Sequence, residues 1–337
     1  MVRRRAALAV PILGAAAVVT GACSGPPRTS PSSRPLDEVG YVTGLGSLGR
    51  DAYVWVAIAV GFFAEEGIKV KVTPGSATDF NRNLVASGQA DFAAIDYAGL
   101  WITATSEVAK AVRAVAMIHN RTLAGIMTFN DRGIKVPEDL PGRTIYHTTG
   151  SVNEKLFPGY AKQARIDPAR VRWVGTASAN LPGLLASGAA QAVGTFVVAA
   201  PTLAAAAGRP VTDVVALPYS DQMLDLYGNV LIASRKVPDD LVRRFARALQ
   251  RGLAYSIAHP EESGRILHAA VPASNPDSAA AEITAMKPYV PTGPDGGRFD
   301  PAKVARSVAL LQTLNLLKPT RPDLEDLVDF AVAGPSR

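Results

Sequence analysis

Polar and aromatic residues gather in short turns that follow apolar, strand-like runs, and their chemistry is that of holding a small molecule rather than breaking a bond. In the first part of the chain these are Asp51 and Tyr53, Ser76 and Thr78 in "GSATD", and Asp96 with Tyr97. Further on they are His147, Thr148, Thr149 and Ser151 in "HTTGS", Thr176, Ser178 and Asn180 in "TASAN", and Thr195 with Phe196; Tyr227 and Asn229 complete the set. Any one of these hydroxyls can serve merely to cap a helix or close a turn, so only their convergence makes a site. Asp51, Asp79 and Asp96 can accept hydrogen bonds from amino groups. Tyr53, Tyr97, Phe196 and Tyr227 offer faces for a flat ring, worth about 0.5–1.5 kcal/mol per stacked pair beyond burial. A small anion instead needs Arg, Lys or several N–H groups at helix N-termini. The "TTGS" turn can supply such N–H groups, but the first half presents carboxylates in place of cations. The set therefore favours a nitrogen heterocycle of the aminopyrimidine kind.

Catalytic patterns are absent from the sequence. There is no Gly-x-Ser-x-Gly elbow, and Glu65-Glu66 at a helix end reads as solvated charge. His119, His147, His259 and His268 do not fall at metal-ligand spacing and read as surface or hinge residues. No cofactor and no metal is expected.

The elements that must position these turns are written twice. "LVASGQADFAAIDYAGL" (84–100) and "LLASGAAQAVGTFVVAA" (184–200) lie 100 residues apart and describe the same event, a helix stopped by Gly and followed by a buried strand. In the first half, "EVGYVTG", a helical pattern from Asp51 to Phe63 with Asp51 as its cap, "IKVKV", a helix over Phe80–Ser87 and "ADFAAID" alternate. "RTIYHTTGS", "VNEKLFPGYAKQARI", "VRWVGTAS", "NLPGLLAS" and "AAQAVGTFVVAA" repeat the order. Alternating strands and helices imply parallel sheets covered on both faces, and ligands of such sheets bind beyond the strands' carboxyl ends. Two such faces opposed form a cleft. "AVAMIHNRTLAGIMTFN" (114–130) and "YGNVLIAS" (227–234) read as the crossings between halves. After Pro238 the pattern turns helical over 239–258, 261–270, 277–287, 301–317 and 322–333, with Pro and acidic residues at the starts, and these helices are expected to pack on the first half.

The first residues form a separate unit. Arg3, Arg4 and Arg5 precede an apolar stretch from Ala6 to Val19 that is too short to span a bilayer, which takes about 20 residues. "VTGACSG" then places small residues directly before Cys23, as in a lipoprotein signal. Cys23 is the sole cysteine, so it can form no intramolecular disulfide. The "SGPPRTSPSSRP" that follows reads as a tether. Losing the three leader arginines lowers the formal +6 to +3, which gives no support to nucleic-acid binding. Arg243, Arg244, Arg247 and Arg251 alternate with apolar residues as the solvated face of a helix.

In "VAIAVGFFAEEGIKVKV", "ASGQADFAAID", "GIKVPEDLPGRTIYHTTGS" and "NVLIASRKVPDDLVRRFARALQRGLAYSIAHPEE", the chain resembles the substrate-binding lipoproteins of ABC importers. The specific group joins nitrate, sulfonate and taurine binders to binders of thiamine pyrimidine precursors, and the resemblance runs from about Val39 to Val290. It implies an α/β fold, a two-lobed periplasmic-binding-protein clamshell (type II) with the C-terminal helices packed on the first lobe. The expected divisions are a signal and lipobox (1–23), a tether (24–35), lobe 1 (36–124), lobe 2 (125–226), and a return crossing with helices completing lobe 1 (227–337). The implied partners are a small-molecule solute, an ABC permease with its ATPase, and a membrane reached through lipid on Cys23; the protein is expected to be a monomer outside the cytoplasm. Members of the group commonly carry Asp after the second Ser-Gly turn, where this chain has Gln191; its counterpart Asp91 is expected to serve the turn itself. Sulfonate, taurine or nitrate binding is the alternative within the group, and an enzyme or a sensor using the same fold is the alternative outside it.

Overall fold

The structure is a computed structural model that describes residues 35–291, 296–317 and 323–331. The expected leader, Cys23 and nearly all of the expected tether lie outside the described residues. In the first half the elements are β1 (Asp37–Val42), a 3-10 turn (Gly49–Asp51), α1 (Tyr53–Ala59), α2 (Phe62–Glu65), β2 (Ile68–Thr73), α3 (Thr78–Ala86), β3 (Phe92–Asp96), α4 (Tyr97–Ile102), α5 (Ser106–Ala111) and β4 (Val112–Met117). The second half holds β5 (Ala124–Phe129), β6 (Thr144–Thr148), α6 (Val152–Gln163), β7 (Arg172–Thr176), α7 (Leu181–Ser187), β8 (Ala192–Phe196), α8 (Ala200–Ala206) and β9 (Val214–Pro218). The chain then returns as β10 (Asn229–Ser234) and ends in α9 (Asp239–Ala258), α10 (Pro260–Ala270), α11 (Pro276–Met286), α12 (Pro301–Thr313) and α13 (Leu324–Leu327).

Two five-stranded sheets follow the same plan, β2-β1-β3-β10-β4 and β7-β6-β8-β5-β9. The three leading strands of each run parallel, but β10 is antiparallel to β3 and β4, and β5 is antiparallel to β8 and β9. The all-parallel expectation therefore fails at the crossings, for a geometric reason. A strand arriving from the other half enters at the edge where its neighbours end, with Asn229 opposite Asp96 and Ala124 opposite Phe196, and so must run the other way. The short α4, α5, α8 and β9 have no counterpart in the sequence reading. The helix expected over 322–333 reduces, among the described residues, to the four-residue α13, after which Val328 bridges to Ala114.

The repeated helix-to-strand turn is present in both halves. Gly88 and Gly188 each have φ of 80°, a left-handed conformation that a side chain disfavours by roughly 1–2 kcal/mol. A Cβ on Gly88 would touch nothing within 4 Å, so Gly88→Ala isolates the backbone cost; urea unfolding should show a loss of about 1–2 kcal/mol. Asp91, one turn further on, accepts the Gly40 N–H at 2.8 Å and so ties the turn to β1.

One apolar core embraces the first sheet, its helices and one face of the second sheet, while Met127, Phe129, Leu181, Leu185, Val193 and Leu203 fill the other face of the second. The longest helix, α9, lays Val242, Phe245, Leu249 and Leu253 into the first sheet's core, where Phe245 stacks on Phe92 with centroids 3.9 Å apart. Its arginine face is less solvated than its spacing predicts. Arg244 pairs with Asp37 and Asp240, Arg247 with Glu66 and Arg251 with Glu65, clipping α9 to β1 and to α2. The C-terminal helices pack on the first half, α9 and α10 on α1, α12 on α4 and α13 on β4; α11 covers the Gly49–Asp51 turn and also reaches α8 of the second half.

Candidate functional site

Ser76, Thr78, Asp96, Ser151, Phe196 and Asn229 line one small cavity of about 20 Å³ between the carboxyl ends of the two sheets, room for roughly one water. Asp96 ends β3 and Phe196 ends β8, so the two repeats deliver their last strand residues to one point, a carboxylate from one side and a ring from the other. Asn229 pairs with Asp96 in the ladder. Its backbone N–H donates to Nδ1 of His119 at 3.2 Å, and His119, fully buried at the crossing, is held neutral because burial pulls its pKa down to about 3.

The residue that sequence reasoning missed is Arg50. It is 2% exposed, lines the same cavity and sets its guanidinium 3.7 Å from the centroid of Phe196, a contact that joins the two halves. Desolvated cation–π contacts of this kind are worth about 2 kcal/mol. Its Nε donates to Asp51 at 3.3 Å, and its Nη1 is buried with no hydrogen-bond partner among the described residues. The expectation that the first half offers only carboxylates is thus corrected. An Arg placed between Gly49 and Asp51 in a Gly-rich loop was the available signal, and it reads as surface until the loop is seen folded under α11.

Asp96 carries the complementary vacancy. Its Oδ1 accepts the Gly99 N–H at 3.1 Å, while Oδ2 is buried and has no partner among the described residues. Burial raises its pKa from 3.8 to about 7, against the opposing pull of the Gly99 and Ala98 N–H groups and the charges of Arg50 and Lys155. Two residues that line the cavity thus keep donor and acceptor capacity that a guest, or the one water the volume admits, can fill.

The other expected site residues lie elsewhere. Asp51 is fully buried beneath the cavity, accepting the Gly44 N–H at 2.8 Å as well as Arg50; the 3-10 turn draws it inward, so it does not cap α1. Tyr53 turns into the core, with its hydroxyl 3.1 Å from that of Tyr41. Tyr97 bonds Ser307 at 2.9 Å, and Tyr227 accepts the Asp300 N–H at 3.2 Å while packing edge-on against Tyr97 and Phe299. Of the four rings expected to sandwich a solute, only Phe196 lines the cavity, because the tyrosine hydroxyls find core partners. Thr148 is buried at the end of β6, and exposed Thr149 lies 3.5 Å from the Thr176 carbonyl. Ser178 and Thr195 line an adjoining cavity of about 240 Å³ with Leu45, Leu181 and Leu203. His147, read as surface or hinge, is buried between Ser151 and Glu154, 3.4 Å from each. Asp79 on α3 pairs with Lys155 on α6 at 2.6 Å, a second link between halves.

Comparisons with known proteins agree with this architecture. The family model described as NMT1/THI5 like matches residues 51–263. The alkanesulfonate-binding protein of Xanthomonas axonopodis pv. citri bound to MOPS has a similar structure, with a TM-score of 0.69, 13% identity, and 88% of this chain and 100% of that chain covered. The ligand-binding component of an ABC-type import system from Staphylococcus aureus aligns with a TM-score of 0.65 at 14% identity, covering 89% and 98%. A Candida albicans protein described as having the generic periplasmic binding protein fold aligns at 0.62 and 12% identity, covering 88% and 97%. No curated protein sequence matches. At these identities the likeness is one of fold: the chain has the type II periplasmic-binding-protein architecture.

Proposed function

The chain belongs to the NMT1/THI5-like family, and from that membership and the cavity between its halves we propose that it is the extracytoplasmic solute-binding component of an ABC importer. The solute-binding neighbours in fold, from import systems and for alkanesulfonates, support this reading. The observation that carries it is the cavity built from both halves, lined by Asp96 and Arg50 of the first and by Ser151 and Phe196 of the second. Lobe 1 (36–124, completed by 227–337) and lobe 2 (125–226) part to admit the solute and close on it, and the closed shape is what the permease and its ATPase receive. The solute must favour the closed state, since equal affinity for both states would shift nothing. Cys23 holds the protein to the membrane through lipid, a reading supported by the sequence of the leader.

For the solute we favour a neutral nitrogen heterocycle of the thiamine-pyrimidine-precursor kind. Its amino group donates to Asp96 and a ring nitrogen accepts from Arg50, in a site that the parting of the lobes enlarges beyond its closed volume of about 20 Å³. Arg50 also supports a second reading, a sulfonate or nitrate. Asp51 at 3.3 Å already compensates the Arg50 charge, however, and an ionised Asp96 repels a second anion. A thermal-shift series of aminopyrimidines, thiamine, flavins, taurine, alkanesulfonates and nitrate separates the readings. A solute at 100 times its Kd adds about 2.7 kcal/mol, which raises Tm by on the order of 5 °C. Stabilisation by aminopyrimidines is the expected result; stabilisation by sulfonates alone selects the second reading, and a flat series counts against both.

A further inference from the structure

Glu282 stands outside the solute cavity, on α11, yet its carboxyl holds both of the segments that build that cavity's central contact. It is 2% exposed. One oxygen accepts the Arg50 backbone N–H at 3.4 Å, with the neighbouring Gly49 N–H also bearing on it. The other oxygen accepts the hydroxyl of Thr202 on α8. Arg50 carries the guanidinium that lies over Phe196, and Thr202 follows Phe196 by six residues in the second half. A single side chain thus ties the loop bearing the cation to the helix that follows the ring.

Two features surround the tie. Gly49 sits so close to α11 that a Cβ there would lie 2.4 Å from the Ala279 carbonyl oxygen, so the loop packs against the helix backbone only because the residue is glycine. The Glu282–Thr202 contact also stands between two open volumes, the 240 Å³ cavity next to the solute site and a groove of about 350 Å³ bounded by α10 and α11, and both are lined by Leu48, Thr202 and Glu282. At that point α11 also packs on α8 and on the 3-10 turn that follows β8, so the bond is the polar part of a contact between the halves. The other polar links between the halves, Asp79–Lys155, Arg306–Asp225 and Lys162 to the Thr313 carbonyl, are partly exposed and screened by solvent.

We propose that Glu282 is a positioning residue, a latch whose bond to Thr202 holds the halves closed and sets Arg50 over Phe196. The proposal rests on the solute-binding reading for its purpose, but not for its test. Spin labels placed at exposed Lys69→Cys on β2 and Arg172→Cys on β7, in a Cys23→Ser background of the full chain, report the separation of the halves with no solute added. Wild type should show a short-distance population. Thr202→Val and Glu282→Ala should shrink it by on the order of tenfold, the cost of one buried charge-assisted hydrogen bond. Glu282→Gln should retain it, because the amide can accept from Arg50 and donate to the Thr202 hydroxyl. Lys155→Ala should change it little.

A purely structural role for Glu282 would lower the melting temperature and leave the distance distribution in place. Unchanged distances in both Thr202→Val and Glu282→Ala, a wild type with no short-distance population, or opening by Lys155→Ala alone would each overturn the latch. Thr202→Val exchanges the hydroxyl for a methyl of similar size beside open volume and keeps the test available if Glu282→Ala does not fold. A failed solute screen leaves these distances informative, and a failed latch leaves the screen standing.

Discussion

Asp51→Ala should lose about 3–5 kcal/mol of unfolding free energy, because it strips the counter-charge from a buried arginine. Asp51 is wholly inaccessible and Arg50 only 2% exposed. Burial drives the Asp51 pKa upward, while Arg50 and the amides of Gly44 and Leu45 draw it down. Removing the carboxylate leaves the guanidinium with one unpartnered nitrogen more than it already has, and leaves the Gly44 N–H unanswered at the mouth of β1. Urea denaturation at neutral pH gives the value directly. The double replacement Arg50→Met with Asp51→Ala should recover much of the loss, since an apolar pair of similar volume has no desolvated charge to satisfy. A single-variant loss below about 1 kcal/mol would mean that the pair is solvated in solution and that Arg50 does not face a dry cavity.

The second large effect is on pH. Unfolded, the Asp96 carboxyl titrates near 3.8; folded, at about 7. A carboxyl raised by folding binds more protons in the native state between those values, so its contribution to stability is fully present below about pH 4 and is lost as pH climbs through 7. The span corresponds to at most about 4 kcal/mol, and Asp96→Asn should flatten the slope in that window. Binding runs in the opposite sense for a solute that donates to the ionised oxygen. Such a heterocycle should bind most tightly above pH 7 and weaken toward tenfold per pH unit below it, roughly 100-fold by pH 5. A sulfonate, repelled by the ionised carboxylate, should instead bind better as the medium is acidified. Calorimetric titrations at pH 5, 6, 7 and 8 decide between the two by the sign of the slope alone.

Much of the architecture could be read from the residues. The 100-residue echo of "ASG" followed by small apolar residues places Gly88 and Gly188, β3 and β8 at corresponding points, because the left-handed stop and the buried strand are both local demands. The strand pair around His119–Thr122 is equally local, with β4 ending at Met117 and β5 starting at Ala124. What escaped depends on contacts distant in sequence. Strand direction at the crossings follows from where the other half ends. α13 stops short because Val328 pairs with Ala114, more than two hundred residues away. In the site, turn position alone pointed to Asp96, Phe196 and Asn229, which line the small cavity. The tyrosines could not be sorted that way, since their hydroxyls are claimed by Tyr41, Ser307 and the Asp300 amide, none of them nearby in sequence. Arg50 was hidden for the same reason: nothing in "GRD" foretells a lid made by a helix beginning at Pro276.

The order of the first sheet has a consequence for how the molecule is made. β10 fills the slot between β3 and β4, so both of those strands wait with bare backbone edges until Ser234 has been synthesised, long after their own residues. The second sheet draws all five of its members from one continuous stretch, 124–218, and can zip up without help from the tail. The portion that emerges first from the ribosome is therefore the last to mature, and a chain cut off before Asn229 should assemble its later body while its earlier one stays raw.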